Sequence, residues 1–128
     1  MDQPSFKPTE AELEVLQILW QKGSATVRDV HEELSRTKDS VYTTTLKIMQ
    51  KMHEKRLVER DEDSRTHVYR ATVPEEEMQQ HLLHKFIHSA FGGSALKLVM
   101  QALGNRSSTP DELEKVQQLI EQLRRSRK

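Results

Sequence analysis

Apolar residues recur every three or four positions through the first half of the chain, in three short stretches. Leu13, Leu16 and Trp20, widened by Val15 and Leu19, make the first stripe, the spacing that lines one face of a helix. Thr9 with Glu12 three residues on has the pattern of a capping box, and Gly23 suits the end of that helix. Ser24-Ala25 reads as a short extended link. Thr26 with Asp29 opens a second helix, whose apolar line is Val27, Val30 and Leu34. Arg36-Thr37-Lys38 forms a turn, and Asp39 is placed to cap a third helix beginning near Ser40. That helix carries a weakly apolar stripe of Val41, Thr45, Ile48, Met49 and Met52. Thr43, Lys47 and Gln50 lie opposite, with Thr44 and Lys51 beside them. Leu57-Val58 and Val68-Tyr69 are strand candidates, joined by a polar loop at Glu62-Asp63-Ser64-Arg65-Thr66.

A different pattern begins at Pro74, a residue suited to a first helical turn and followed by Glu75, Glu76 and Glu77. Met78, Leu82, Leu83, Phe86, Ile87 and Ala90 form a broad apolar face that ends at Gly92-Gly93. Leu96, Val99, Met100 and Leu103 define a further helix, ended by Gly104-Asn105. Thr109-Pro110 begins the last, with Leu113, Val116, Ile120 and Leu123 at heptad spacing. Three amphipathic helices on short linkers bury their stripes poorly alone. Pairing with a second copy is the simple solution, through Leu82, Phe86, Leu96, Val99, Leu103, Leu113, Val116, Ile120 and Leu123; packing against the first domain is the alternative. The expected fold is mainly α with a small β-hairpin: a winged helix-turn-helix domain at 1–73 and a helical dimerisation arm at 74–128. A fragment ending near Thr72 is expected to fold and to bind weakly.

Composition sharpens this picture. The chain has 128 residues, 34% apolar and 31% charged, so its core is thin and some apolar surface is expected to meet a partner. It holds no cysteine, which excludes disulfides and thiolate metal sites. No apolar run reaches the length of a membrane span and the first residues lack a signal-peptide pattern, so direct membrane insertion is not expected and the location expected is cytoplasmic. The formal net charge is zero, which argues against nucleic-acid binding until its distribution is considered. From Arg36 to Arg70 nine cations face six anions, while acidic residues collect at Glu10, Glu12, Glu14, Glu32, Glu33 and the run at Pro74. A neutral protein can present a basic face.

The two-faced third helix carries the candidate chemistry. Small hydroxyls allow close approach to base edges, and Lys and Arg neutralise phosphates. Thr43, Thr44 and Lys47 occupy the first turns, where recognition helices touch bases. Tyr42 can donate to a phosphate or pack with its hydroxyl in water. Lys51, Lys55 and Arg56 suit phosphate contact, and Gln50 can pair with adenine but sits late in the helix. Arg65 and His67 lie at or beside the loop tip; Arg65 can enter a neighbouring minor groove or pair with phosphate, or the loop can stay solvated, since Glu62 and Asp63 beside it repel phosphate. His81, His84 and His88 share one helical stripe, but no cysteine or close carboxylate completes a set. A solvated face is expected there, with no metal and no cofactor. There is no phosphate-cradling glycine loop and no nucleophile elbow, so catalysis is not expected. Two rival readings remain beside a DNA-binding regulator: a winged-helix protein-interaction adaptor, and a ligand- or metal-responsive regulator.

The segments TEAELEVLQILWQKGSATVRDV, YTTTLKIMQKMHEKRLVER and FGGSALKLVMQAL together resemble the penicillinase-repressor family (BlaI/MecI/CopY type) of bacterial transcription regulators, over about residues 8–103. The resemblance implies a homodimeric winged-helix repressor on a palindromic double-stranded operator. It also implies release when a membrane zinc-protease sensor, or its product, answers a β-lactam-type signal and the C-terminal arm is cut. Gln101-Ala102 stands where the family has its Asn-Phe cleavage bond, so a different protease specificity, or no proteolysis, follows from the changed chemistry. The copper-responsive branch uses a cysteine cluster that this chain lacks.

Overall fold

The first two helices form where the capping and periodicity place them. The structure, a computed structural model, describes residues 7–63, 65–104 and 108–127. Within these the order is α1 (Glu10–Lys22), α2 (Val27–Leu34), α3 (Tyr42–Glu54), β1 (Val58–Asp61), β2 (Val68–Ala71), α4 (Glu75–Phe91), α5 (Ala95–Gly104) and α6 (Pro110–Ser126). Capping boxes open α1 at Thr9/Glu12, α2 at Thr26/Asp29 and α6 at Thr109/Glu112. Gly23, at φ 86°, closes α1 in a conformation that side chains with a Cβ resist. The third helix departs from expectation. Its N-cap is Val41, not Asp39, and no side chain caps it.

The chain divides into two compact units, 1–82 and 83–128. In the first, α1, α2 and α3 enclose a core of Val15, Leu16, Leu19, Val30, Met49 and Met52, closed by Leu57, Val58 and Tyr69 of the hairpin. The strands pair antiparallel, Val58 opposite Ala71 and Asp61 opposite Val68. Leu57 lies just before β1 rather than in it. The extended link is more than a spacer: Ala25 and Tyr69 exchange both backbone hydrogen bonds, at 2.9 and 2.8 Å, tying the hairpin to the loop before α2. Arg56 turns the chain from α3 into β1 at φ 66°, and its carbonyl accepts from the Thr72 hydroxyl at 2.8 Å.

The division falls inside α4, eight residues or so beyond the expected boundary at Pro74. The cause is packing. Val73 and Met78 are buried in the first core, and Leu82, expected on a dimer face, packs against it. The Trp20 indole donates to the Val73 carbonyl at 2.9 Å. A fragment ending near Thr72 would therefore lack part of its own core.

Glu12 is 3% exposed. Burial alone pushes its carboxyl up, but the hydrogen bond from the Lys55 ammonium at 2.7 Å, with those from Thr9, outweighs it and holds the group below the usual carboxylate range. A carboxylate with a lowered folded value contributes stability above its unfolded value and loses it as pH falls through the folded one. Lys55→Met is expected to cost roughly 1–3 kcal/mol near neutrality, below the figure for a wholly buried pair because Lys55 keeps contact with solvent. Urea melts of both proteins should show that difference shrinking as pH falls below the ordinary carboxylate range and Glu12 of the unaltered protein takes up its proton.

The described residues of the second unit form no buried interior of their own. Among the described residues from 83 onward none is fully buried, and Phe86, Leu96, Val99, Leu113, Ile120 and Leu123 stand exposed, Leu96 at 68%. Leu103 and Val116 are half-buried. Phe86 and Phe91 meet edge to face, their centroids 5.6 Å apart, and Gly92 and Gly93 turn the chain at positive φ. His84 and His88 are exposed, whereas His81 is half-buried rather than solvated. Among the described residues no three His, Cys, Asp or Glu side chains are placed to hold a metal, and no helix is long and apolar enough to cross a membrane.

Candidate nucleic-acid interface

The exposed face of α3 follows from which of its residues the core takes. Thr45, Met49 and Met52 are buried, and Leu46 and Ile48 are partly so. Helical geometry then turns Thr43, Thr44, Lys47, Gln50 and Lys51 outward, and all five are exposed. Buried Thr45 is satisfied by His31 Nδ1 at 3.2 Å and by the Ser40 hydroxyl at 3.4 Å, which joins α2, the turn and the start of α3. His31 also meets the Tyr42 ring edge to face, centroids 5.6 Å apart. Tyr42 is thus positioned by a ring partner on α2 while its ring stays partly in solvent. The periodicity alone does not mark His31 as the residue that sets the pose of α3.

Between α3 and the hairpin lies a groove of about 430 Å³ lined by Arg28, Tyr42, Gln50, Arg60, Arg65 and His67, among others. Nothing in the sequence around Arg28, at the start of α2, marks it for this groove, since its stretch reads only as a helix start. Arg60 is held within the hairpin: its guanidinium donates to Glu62 at 3.0 Å and to the Tyr69 hydroxyl at 3.4 Å. That contact keeps the Glu62 carboxyl below its ordinary range, so it is ionised and offsets Arg60 at neutral pH. At the tip, the Asp61 carboxylate accepts from the Asp63 amide at 2.9 Å. The loop's Ser64 lies outside the described residues.

Ion pairing sorts the remaining cations. Lys22 and Arg36 pair with Glu33, Lys38 with Glu14, and Arg70 with Glu59. Lys55, expected at a phosphate, is instead committed to Glu12. Among the described residues no ion pair engages Arg28, Lys47, Lys51, Arg56 or Arg65. Arg28 and Arg65 share the groove, and Lys47 and Lys51 share the outer side of α3. Two expected contacts thus stand free on that helix and one on the hairpin. Gln101 and Ala102 lie elsewhere, both exposed and both within α5.

Residues 8–122 match the family model described as penicillinase repressor. The methicillin resistance regulatory protein MecI of Staphylococcus aureus is 24% identical over 120 residues, covering 94% of this chain and 98% of that one. The penicillinase repressor of Bacillus licheniformis is 23% identical over 120 residues, 94% of each chain. The transcriptional regulator BlaI of Mycobacterium tuberculosis reaches 39% over 61 residues, 47% of this chain and 44% of that one. The solution structure of the DNA-binding domain of the repressor BlaI superposes with a TM-score of 0.50 at 26% identity, covering 60% of this chain and 93% of that domain.

Proposed function

The chain belongs to the penicillinase-repressor family, and from that premise we propose that it is a transcriptional repressor that holds a palindromic operator as a homodimer. One observation carries the reading: the α3 face combines exposed small hydroxyls with cations that no carboxylate among the described residues engages. Thr43, Thr44 and Lys47 read base edges in the major groove. Tyr42, Lys51 and Arg65 hold the backbone on either side. The DNA-binding part is the first unit, and the unsatisfied apolar faces of the second supply dimerisation. Binding makes no chemical change in the DNA, and the role is not enzymatic.

Release follows from cutting the arm at Gln101-Ala102 in response to a β-lactam-type signal, delivered by a membrane zinc-protease sensor or its product. A protease takes its substrate extended, so α5 must unwind locally first. A ten-residue helix without a buried residue offers little resistance to that.

Fluorescence anisotropy with operator duplex tests the reading. Log affinity should fall linearly and steeply with log salt. Arg28→Ala should weaken binding to every duplex alike and lower that slope by about one per subunit, as a phosphate contact does. A folded protein that shifts no duplex at low salt, yet binds a protein partner independently of salt, would favour the adaptor reading.

A further inference from the structure

Among the described residues of the first unit, only two large hydrophobic side chains are exposed, and they are neighbours: Val41 at 64% and Tyr42 at 42%. Tyr42 has the His31 ring against it. Val41 stands at the N-cap of α3 with backbone φ −99° and ψ 136°, and its side chain makes no cap. Valine is a poor choice there on local grounds. The position favours Ser, Thr, Asp or Asn, whose oxygen would accept from an amide of the first turn. Thr9, Thr26 and Thr109, the N-caps of α1, α2 and α6, follow that rule. At Val41 the residue is wrong both for helix stability and for solvent exposure. Local rules broken together point to a demand from function.

The surroundings say what the valine meets. Val41 and Thr44 line the outer side of a depression of about 250 Å³ with Ser40 and Ile48, and its other wall carries the Lys38–Glu14 ion pair and Asp39. Thr43 and Lys47, exposed on the same first turns, are polar and cationic, and a protein core partner would leave them unsatisfied. Duplex DNA suits the whole set, and in its major groove only one base presents an apolar group, the C5-methyl of thymine.

We propose that Val41, backed by the methyl of Thr44, reads the C5-methyl of one thymine in each half-site. The inference rests on the operator-binding reading above and adds a specificity-determining residue to it. No hydrogen bond is involved. Discrimination comes from removing two methyl surfaces from water, so cytosine, which lacks the methyl, is disfavoured at that step.

The test uses the intact protein and a duplex selected from a random library. Each thymine is replaced in turn by deoxyuridine, which removes the methyl and nothing else. One position per half-site should lose affinity by about fourfold, the effect of one buried methyl group. Val41→Ser restores a favourable N-cap, so it should fold normally, and its affinity should be indifferent to that same replacement. Val41→Thr retains a methyl and should keep the sensitivity. Equal deoxyuridine sensitivity in Val41→Ser and the unaltered protein, or no sensitive thymine at all, would overturn the inference while leaving operator binding intact. Failure to select any duplex would overturn both.

Discussion

A chain ending at Leu82 is expected to fold and to bind a single half-site, with affinity for the full operator roughly 10²–10⁴-fold below that of the intact chain. The first unit ends at Leu82 and has a closed core, so it keeps its interior when the rest is removed. What it loses is the proposed pairing surface. In the proposed dimer, contact at one half-site makes the second contact intramolecular, and affinity gained that way vanishes without any change at α3. Anisotropy titrations against a full operator and an isolated half-site measure the gap. Equal affinity of fragment and intact chain for the full site would remove avidity from the mechanism. A chain ending at Thr72 provides the contrast. It lacks buried Val73 and Met78 and the partner of the Trp20 indole, each apolar side chain contributing about 1.5–3 kcal/mol. Against a total stability of about 5–15 kcal/mol this is a large loss, and the shorter fragment should be partly unfolded by circular dichroism.

Lys47→Ala is expected to weaken operator binding by roughly 30-fold or more, because a contact of about 1–3 kcal/mol is lost at both half-sites. The same change should leave the melting curve nearly unmoved. Lys47 is exposed on α3 and no described residue pairs with it, and alanine is a favourable helix residue. Thermal denaturation beside anisotropy separates the two effects. Unchanged binding would mean that α3 does not carry the recognition surface.

Much of this was legible in the sequence because it depends on local chemistry. The capping boxes at Thr9 and Thr26, the helical spacing of Val15, Leu16 and Leu19, and the polar loop between two short β-prone stretches are all nearest-neighbour signals. The parts missed depend on residues far apart in the chain. Ala25 pairs with Tyr69, Trp20 reaches Val73, and Lys55 reaches Glu12, and no periodicity announces such contacts. Proline and the following acids start a helix at Pro74, which sets the expected unit boundary there. A helix start is not the end of a core, and Met78 on the first turns of α4 still belongs to the first unit. Val41 was placed on the apolar stripe of α3 by its spacing. It stands instead at the N-cap, outside the helical register, and so points to solvent.

The cations show the same division. Composition counts Lys55 and Lys51 alike, but one is drawn to a buried carboxylate and the other is left for a partner. Arg28 joins the candidate interface only when the fold brings α2 and the hairpin to one groove. A neutral chain thereby acquires a face on which Arg28, Lys47, Lys51 and Arg65 have no ion pair among the described residues, which is the physical basis for reading it as a surface for phosphate.

The central claim is that two copies present α3 to two half-sites of one duplex. The most direct test is to equilibrate the purified intact protein with fragmented genomic DNA at moderate salt and sequence what it retains. The expected result is a palindromic motif whose half-site centres lie about one helical turn apart, or a multiple of that spacing. A folded protein that retains DNA without an enriched motif, or enriches a single unrepeated element, would contradict it.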